Sequence, residues 1–139
     1  MNKLFEEFVG NLLEKRLEDY DVELQKTEHP EKSGKRLIIK LDIMVSRNGI
    51  PLFIIDTKYQ KFSGNAEVSH LEQLSLYSDT THVKNCALVY IGKSRTSPYD
   101  LEEDITVHII LFDLEAENED SFKYKCDDFM DESERYLIL

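Results

Sequence analysis

Hydrophobic positions along the chain fall into segments of two different periods. From residue 3 to 18, Leu4, Phe5, Phe8, Val9, Leu12, Leu13 and Leu17 recur at helical spacing and form one broad apolar stripe. Placing successive residues 100° apart puts Glu6 at the edge of that stripe and Glu7 nearly opposite it. Glu6 is therefore expected to lean toward whatever the helix packs on, with Glu7 and Glu14 as plain solvated charges. Residues 26–35 are polar and read as a loop or the ragged end of a strand pair. Between Arg36 and Ser46 the pattern switches to strict alternation, with Leu37, Ile39, Leu41, Ile43 and Val45 on one side and Ile38, Lys40, Asp42 and Met44 on the other. That is the signature of a half-buried strand. Arg47-Asn48-Gly49 supplies a turn, and Leu52 to Tyr59 forms the next strand.

Further on, residues 66–79 predict a second helix, with Leu71, Leu74, Ser75 and Ser78 on one face and His70, Gln73 and Tyr77 on another. The unbroken run Cys86 to Gly92 reads as a strand covered on both sides. Residues 93–104 read as a loop, Ile105 to Leu114 as a strand and 115–120 as an acidic turn. A short strand near 122–126 and a helical turn near 128–136 are expected last. This order predicts a layered α/β domain with a mixed β-sheet. The hairpin should be antiparallel and the later crossover right-handed. The 139 residues are expected to form one domain, residues 1–139, with the acidic third, 98–139, as a peripheral extension.

Composition narrows the function. No apolar stretch approaches the roughly 18 residues of a membrane span, and acids interrupt the N-terminus too early for a signal peptide. Two cysteines without metal-like spacing predict small core residues and a reducing, cytoplasmic setting. The net charge of −11 disfavours nucleic-acid binding until it is located. Residues 98–139 hold 3 basic and 14 acidic residues and carry the whole excess, whereas 26–61 hold 8 basic and 4 acidic residues. Phosphate binding is thus electrostatically permitted around the two strands. The acidic end should point away from such a substrate or toward a partner.

Two of the four acids in that basic stretch, Asp42 and Asp56, lie inside apolar strands, and Lys58 follows Asp56 on the same side of its strand. Buried charges need a partner or a metal. Taken alone the pattern fits a structural ion pair with Lys40 and Lys58. It equally fits metal-assisted phosphodiester hydrolysis, in which Asp42, Asp56 and the main-chain O of Thr57 hold Mg²⁺ (or Mn²⁺ as a substitute) and Lys58 offsets charge on the phosphate. One geometric condition separates the readings. A strict two-residue turn at Asn48-Gly49 pairs residues whose numbers sum to 97 and sends Asp42 and Asp56 to opposite faces. The metal site needs an even sum, expected from a longer loop or a bulged Arg47-Asn48-Gly49 turn.

The ordered set Phe5-Glu6, Leu41-Asp42, Asp56-Thr57-Lys58 and Gln73-x-x-x-Tyr77 resembles the PD-(D/E)xK nuclease superfamily. It is most similar to the C-terminal nuclease domain of McrC, a subunit of modified-cytosine restriction systems. The likeness spans roughly residues 1–92 and departs from the pattern at Leu41, where the family has proline. It implies a restriction-endonuclease-like three-layer α/β domain, a central mixed β-sheet flanked by helices, that acts as a Mg²⁺-dependent DNA endonuclease with Asp42, Asp56, Lys58 and Glu6 at the site. Gln73, Tyr77 and Lys40 would support it or contact DNA, and a GTP-driven motor subunit would be a partner. The alternatives are a catalytically silent docking module on the same fold, or another superfamily enzyme of repair or junction resolution. Oligomeric state stays open, with a two-fold dimer among the options.

Overall fold

The computed structural model describes residues 3–28, 31–32, 35–36, 39–93, 99–100, 105–115 and 117–138. The elements are α1 (Lys3–Arg16), β1 (Asp21–Glu28), β2 (Glu31–Lys32), β3 (Lys35–Arg36), β4 (Ile39–Arg47), β5 (Ile50–Lys61), α2 (Val68–Thr81), β6 (Asn85–Ile91), β7 (Tyr99–Asp100), β8 (Thr106–Phe112) and α3 (Glu119–Ile138). Six strands form one mixed sheet in the order β1-β4-β5-β6-β8-β7, and β2 and β3 pair separately. β4 and β5 are antiparallel, while β5, β6 and β8 run parallel.

The sheet separates two cores. On one side α1 contributes Phe5, Val9 and Leu13 and α3 contributes Cys126, Phe129 and Met130, all against Ile43, Val45, Phe53, Ile55 and Val89. On the other side α2 lays Leu74 and Tyr77 onto Met44, Ile54, Leu88, Tyr90 and Ile109. Strand residues alternate between the two cores because successive side chains leave a strand on opposite faces. β6 lies in mid-sheet between two parallel neighbours, which is why Cys86 to Tyr90 is apolar without interruption and buried throughout.

Three expectations are corrected. The first concerns the strand and turn expected over 122–136, which are one helix, α3. Cys126, Phe129, Met130, Ser133 and Leu137 recur every three to four residues, and Asn118 Oδ1 accepts the Ser121 amide at 2.8 Å as an N-terminal cap. The second is the acidic third expected at the periphery. It supplies β8 and α3, and its Ile110, Phe112, Phe129 and Met130 are core residues. Of the α3 acids, Glu132 is buried and accepts a hydrogen bond from the Tyr136 hydroxyl at 3.0 Å, while Glu119, Asp120, Asp128, Asp131 and Glu134 are exposed. The third is a missed strand: β1 pairs antiparallel with β4, although only Val22 and Leu24 signal it. His29-Pro30, Ser33-Gly34 and Pro98, read as loop, lie outside the described residues, as do the side chains of Lys35 and Arg36.

The hairpin resolves the parity condition by a route other than a longer loop. The connection is the tight one: Arg47 pairs with Ile50 around Asn48 and Gly49, both at positive φ (52° and 79°). Ser46 pairs with Pro51, but Val45 pairs with Phe53, so Leu52 is an extra residue. From there the paired numbers sum to 98, as in Ile43 with Ile55. One step further along that register, Asp42 stands opposite Asp56.

Candidate active site

Asp42 and Asp56 are both buried, at 4% and 1% exposure, on the neighbouring strands β4 and β5. Asp42 Oδ2 accepts two hydrogen bonds from Thr57, one from its amide at 2.9 Å and one from its hydroxyl at 3.1 Å. Asp56 Oδ2 faces Lys58 Nζ at 2.8 Å. Its Oδ1 is buried with no hydrogen-bond donor among the described residues. Lys58 Nζ also donates to Gln73 Oε1 on α2 at 2.9 Å, so the ammonium is fixed between strand and helix. One turn along α2, the Tyr77 hydroxyl donates to the Lys40 main-chain O at 3.0 Å and ties α2 to β4.

The electrostatics follow from this crowding. Burial, then the charge of Asp42, pushes the Asp56 carboxyl up to about 8, and Lys58 only partly offsets them. Burial, then Asp56 and Asp42, raises the Tyr77 hydroxyl above the usual phenol range. On α1, Glu6 is buried at 3% exposure and its carboxyl is raised by burial and by Asp42, with Lys40 opposing. Glu6 is therefore drawn in from the stripe edge, whereas Glu7 and Glu14 stay exposed.

Sequence reasoning missed two groups. Gln25 hydrogen-bonds Glu6 from β1 and sits at φ 54°, left-handed for a non-glycine residue. Nothing in the pattern of β1 signals it. His70, expected on one helix face with Gln73 and Tyr77, is held at 2.6 Å to the hydroxyl of buried Tyr90 and at 3.3 Å to Glu67. Its partner lies twenty residues away on a different element, so spacing along α2 does not reveal the contact.

Two adjacent buried carboxylates are costly unless a cation or protons neutralise them. The donor set suits a hard ion: two carboxylates, a vacant lone-pair direction on Asp56 and a main chain at Thr57. Among the described residues no three or more His, Cys, Asp or Glu side chains converge as a metal cage. Any such ion would thus need oxygen from outside the side-chain carboxylates.

A sequence profile described as McrBC 5-methylcytosine restriction system component matches residues 1–90. The chain belongs to that McrBC family. The matched span holds Glu6, Asp42, Asp56, Lys58, Gln73 and Tyr77 and ends within β6. Among curated proteins none matches by sequence. Among solved structures, the McrBC-family fold is similar to a chain from the Thermococcus gammatolerans assembly of McrB AAA+ hexamers with bound McrC. The TM-score is 0.74 at 18% identity, over 94% of this chain and 33% of that one. The crystal structure of SSO0001 is similar at TM-score 0.51 and 17% identity, over 91% of this chain and 56% of the other. This chain thus spans a third and just over half of those two chains. No helix among the described residues is long and apolar enough to cross a membrane.

Proposed function

We propose that this McrBC-family chain is a Mg²⁺-dependent DNA endonuclease domain of the PD-(D/E)xK type, with Asp42 and Asp56 as metal ligands. The observation that carries the reading is the convergence of these two carboxylates on one face with Lys58 fixed beside them. Support comes from the family match and from Asp56, whose orphaned oxygen and raised carboxyl are what an unneutralised ligand pair should show.

Within this reading Thr57 orients Asp42 through its amide and hydroxyl, and its main-chain O adds a third ligand. Glu6 supports the shell from α1. A divalent ion, when bound, supplies the charge that eases deprotonation of water and steadies the leaving alkoxide. Lys58 contributes a fixed ammonium beside the scissile phosphate, pre-oriented by Gln73, and needs no reorganisation as charge builds on the phosphate oxygens. Tyr77 and Lys40 hold the α2–β4 seam over the site. The basic stretch 26–61 attracts the DNA backbone. An AAA+ partner is proposed by likeness to the McrB–McrC assembly.

The test is Mg²⁺ titration by calorimetry together with Mg²⁺-dependent plasmid nicking, in wild type and Asp56→Ala. Loss of both in the variant is expected; metal binding that persists in Asp56→Ala overturns the assignment. One observation favours a second reading, a non-cutting docking module on the same fold: no all-side-chain metal cage is found among the described residues. Mg²⁺-dependent nicking by wild type that Asp56→Ala abolishes rules that module out, and no carboxylate-dependent Mg²⁺ binding favours it; two carboxylates with main-chain and water oxygen suffice for Mg²⁺.

A further inference from the structure

β5, β6 and β8 run parallel, and a cavity of about 610 Å³ opens beyond their carboxyl ends, lined from Tyr59 to Phe62 and from Ile91 to Lys93 and Asp113 to Glu115. In open α/β sheets this is where ligands settle, and the volume lies within the roughly 300–1,000 Å³ of ligand pockets. The cavity begins at Tyr59, the residue after Lys58. At about 3.3 Å per residue it lies roughly 10 Å along β5 from Asp56, beside the candidate site rather than in it.

Its chemistry differs from that of the site. Tyr59 is 53% exposed, yet its ring is seated against Phe5 at a centroid distance of 5.4 Å and a tilt of 57°. An exposed aromatic held in place offers a stacking surface at low entropic cost. Phe62, Ile91 and Leu114 give apolar walls. Two ion pairs sit at the mouth, Lys93 with Glu115 at 2.6 Å and Asp113 with Lys125 at 2.8 Å, beside the ammonium of Lys61. Four of these five charges cancel in pairs, so the mouth is at most weakly attractive to a phosphate. It suits an uncharged flat group with polar edges, for which Gln60 and Lys61 at the rim supply donors.

We infer that this cavity is a base-stacking subsite, in which a nucleobase of the cleaved strand, next to the scissile phosphate, lies against Tyr59. The inference rests on the nuclease reading above. It adds that the domain engages an unstacked base and not only the duplex backbone. Stacking of this kind tolerates any sequence, because every base has a π-face.

The probe is a short single-stranded oligonucleotide carrying 2-aminopurine, titrated in Ca²⁺ with fluorescence read from the base. Wild type and Tyr59→Phe should bind and quench alike. Tyr59→Ala should bind about tenfold or more weakly, the loss of one base–aromatic stack, with quenching abolished and Mg²⁺ affinity unchanged. Circular dichroism checks that the exposed-site variant keeps its fold. Equal quenching and affinity in Tyr59→Ala overturn the subsite, as does an equal loss of heparin binding, which would show that only charge had been disturbed. The two readings fail separately: Mg²⁺ binding that survives Asp56→Ala sinks the nuclease, while the Tyr59 comparison alone decides the subsite.

Discussion

Asp56 concentrates the energetics of the site in one side chain. Its carboxyl, raised to about 8 by burial and by Asp42, keeps in the folded chain a proton that the unfolded chain has already lost near 3.8. The folded state therefore binds more protons across that window, and metal-free stability falls as pH rises from about 4 to about 8. For one proton the slope is about 1.4 kcal/mol per pH unit. Urea unfolding at pH 5, 7 and 9 should show this decline in wild type without metal. The slope should flatten in Asp56→Asn, and also in wild type with saturating Mg²⁺, which replaces the proton. A wild-type profile as flat as that of the variant counts against a crowded ionisable pair. At this scale the sequence was readable for Asp42, Asp56 and Lys58, because a charge inside an apolar strand needs a local explanation. It was silent on Gln25 and on the His70–Tyr90 bond, since neither leaves a periodic trace.

At the scale of elements, the β4–β5 hairpin sets the site through two adjacent devices. Asn48 and Gly49 make the tight turn, and the extra residue Leu52 restores the parity that brings both carboxylates to one face. Gly49→Ala places a Cβ on a left-handed backbone with open space around it, so the cost is conformational, about 1–2 kcal/mol. Chemical denaturation should read that loss with no change in Mg²⁺ affinity per folded molecule. Helix α1 is seated as closely. A Cβ at Gly10 would stand 2.4 Å from Leu24 Cδ2 and 2.6 Å from its Cγ, so α1 approaches β1 through the glycine. Gly10→Val should cost about 1–3 kcal/mol through overpacking, although glycine is ordinarily the poorer helix former. It should also weaken Mg²⁺ binding, because the same helix carries Glu6 toward Asp42; calorimetry reads both. Alternation made β4 and β5 legible, and helical spacing gave α1 and α2 to within two residues at each end. β1 was not legible, because an edge strand with two apolar residues looks like a loop.

Across the whole molecule, the acidic C-terminal third is part of one core, to which it gives Ile110, Phe112, Cys126, Phe129 and Met130. Phe129 is 2% exposed and its ring lies 4.7 Å from that of Phe112, on the same side of the sheet as α1. Phe129→Ala should cost about 3–5 kcal/mol, measured as a drop in urea midpoint. Asp42 and Asp56 are not packed in that cluster, so residual folded protein should keep its metal affinity. Charge is also distributed at this scale: the excess of −11 lies beyond residue 97. Residues 26–61, with 8 basic and 4 acidic residues, stay net positive.

Sequence alone determined that the alternating and helical segments carry buried faces, and which pair of acids would need an explanation, because a face's burial follows local period and the cost of a charge is the same in every fold. It also determined the α/β class and the order in which site residues arrive. Tertiary structure decided whether those acids meet. That turned on a single unpaired residue at Leu52, which no periodicity encodes because it changes pairing between strands and leaves each strand's own alternation nearly intact. It decided equally that α3 closes the core, since a helix rich in acids reads as solvated until the sheet face beneath it requires cover.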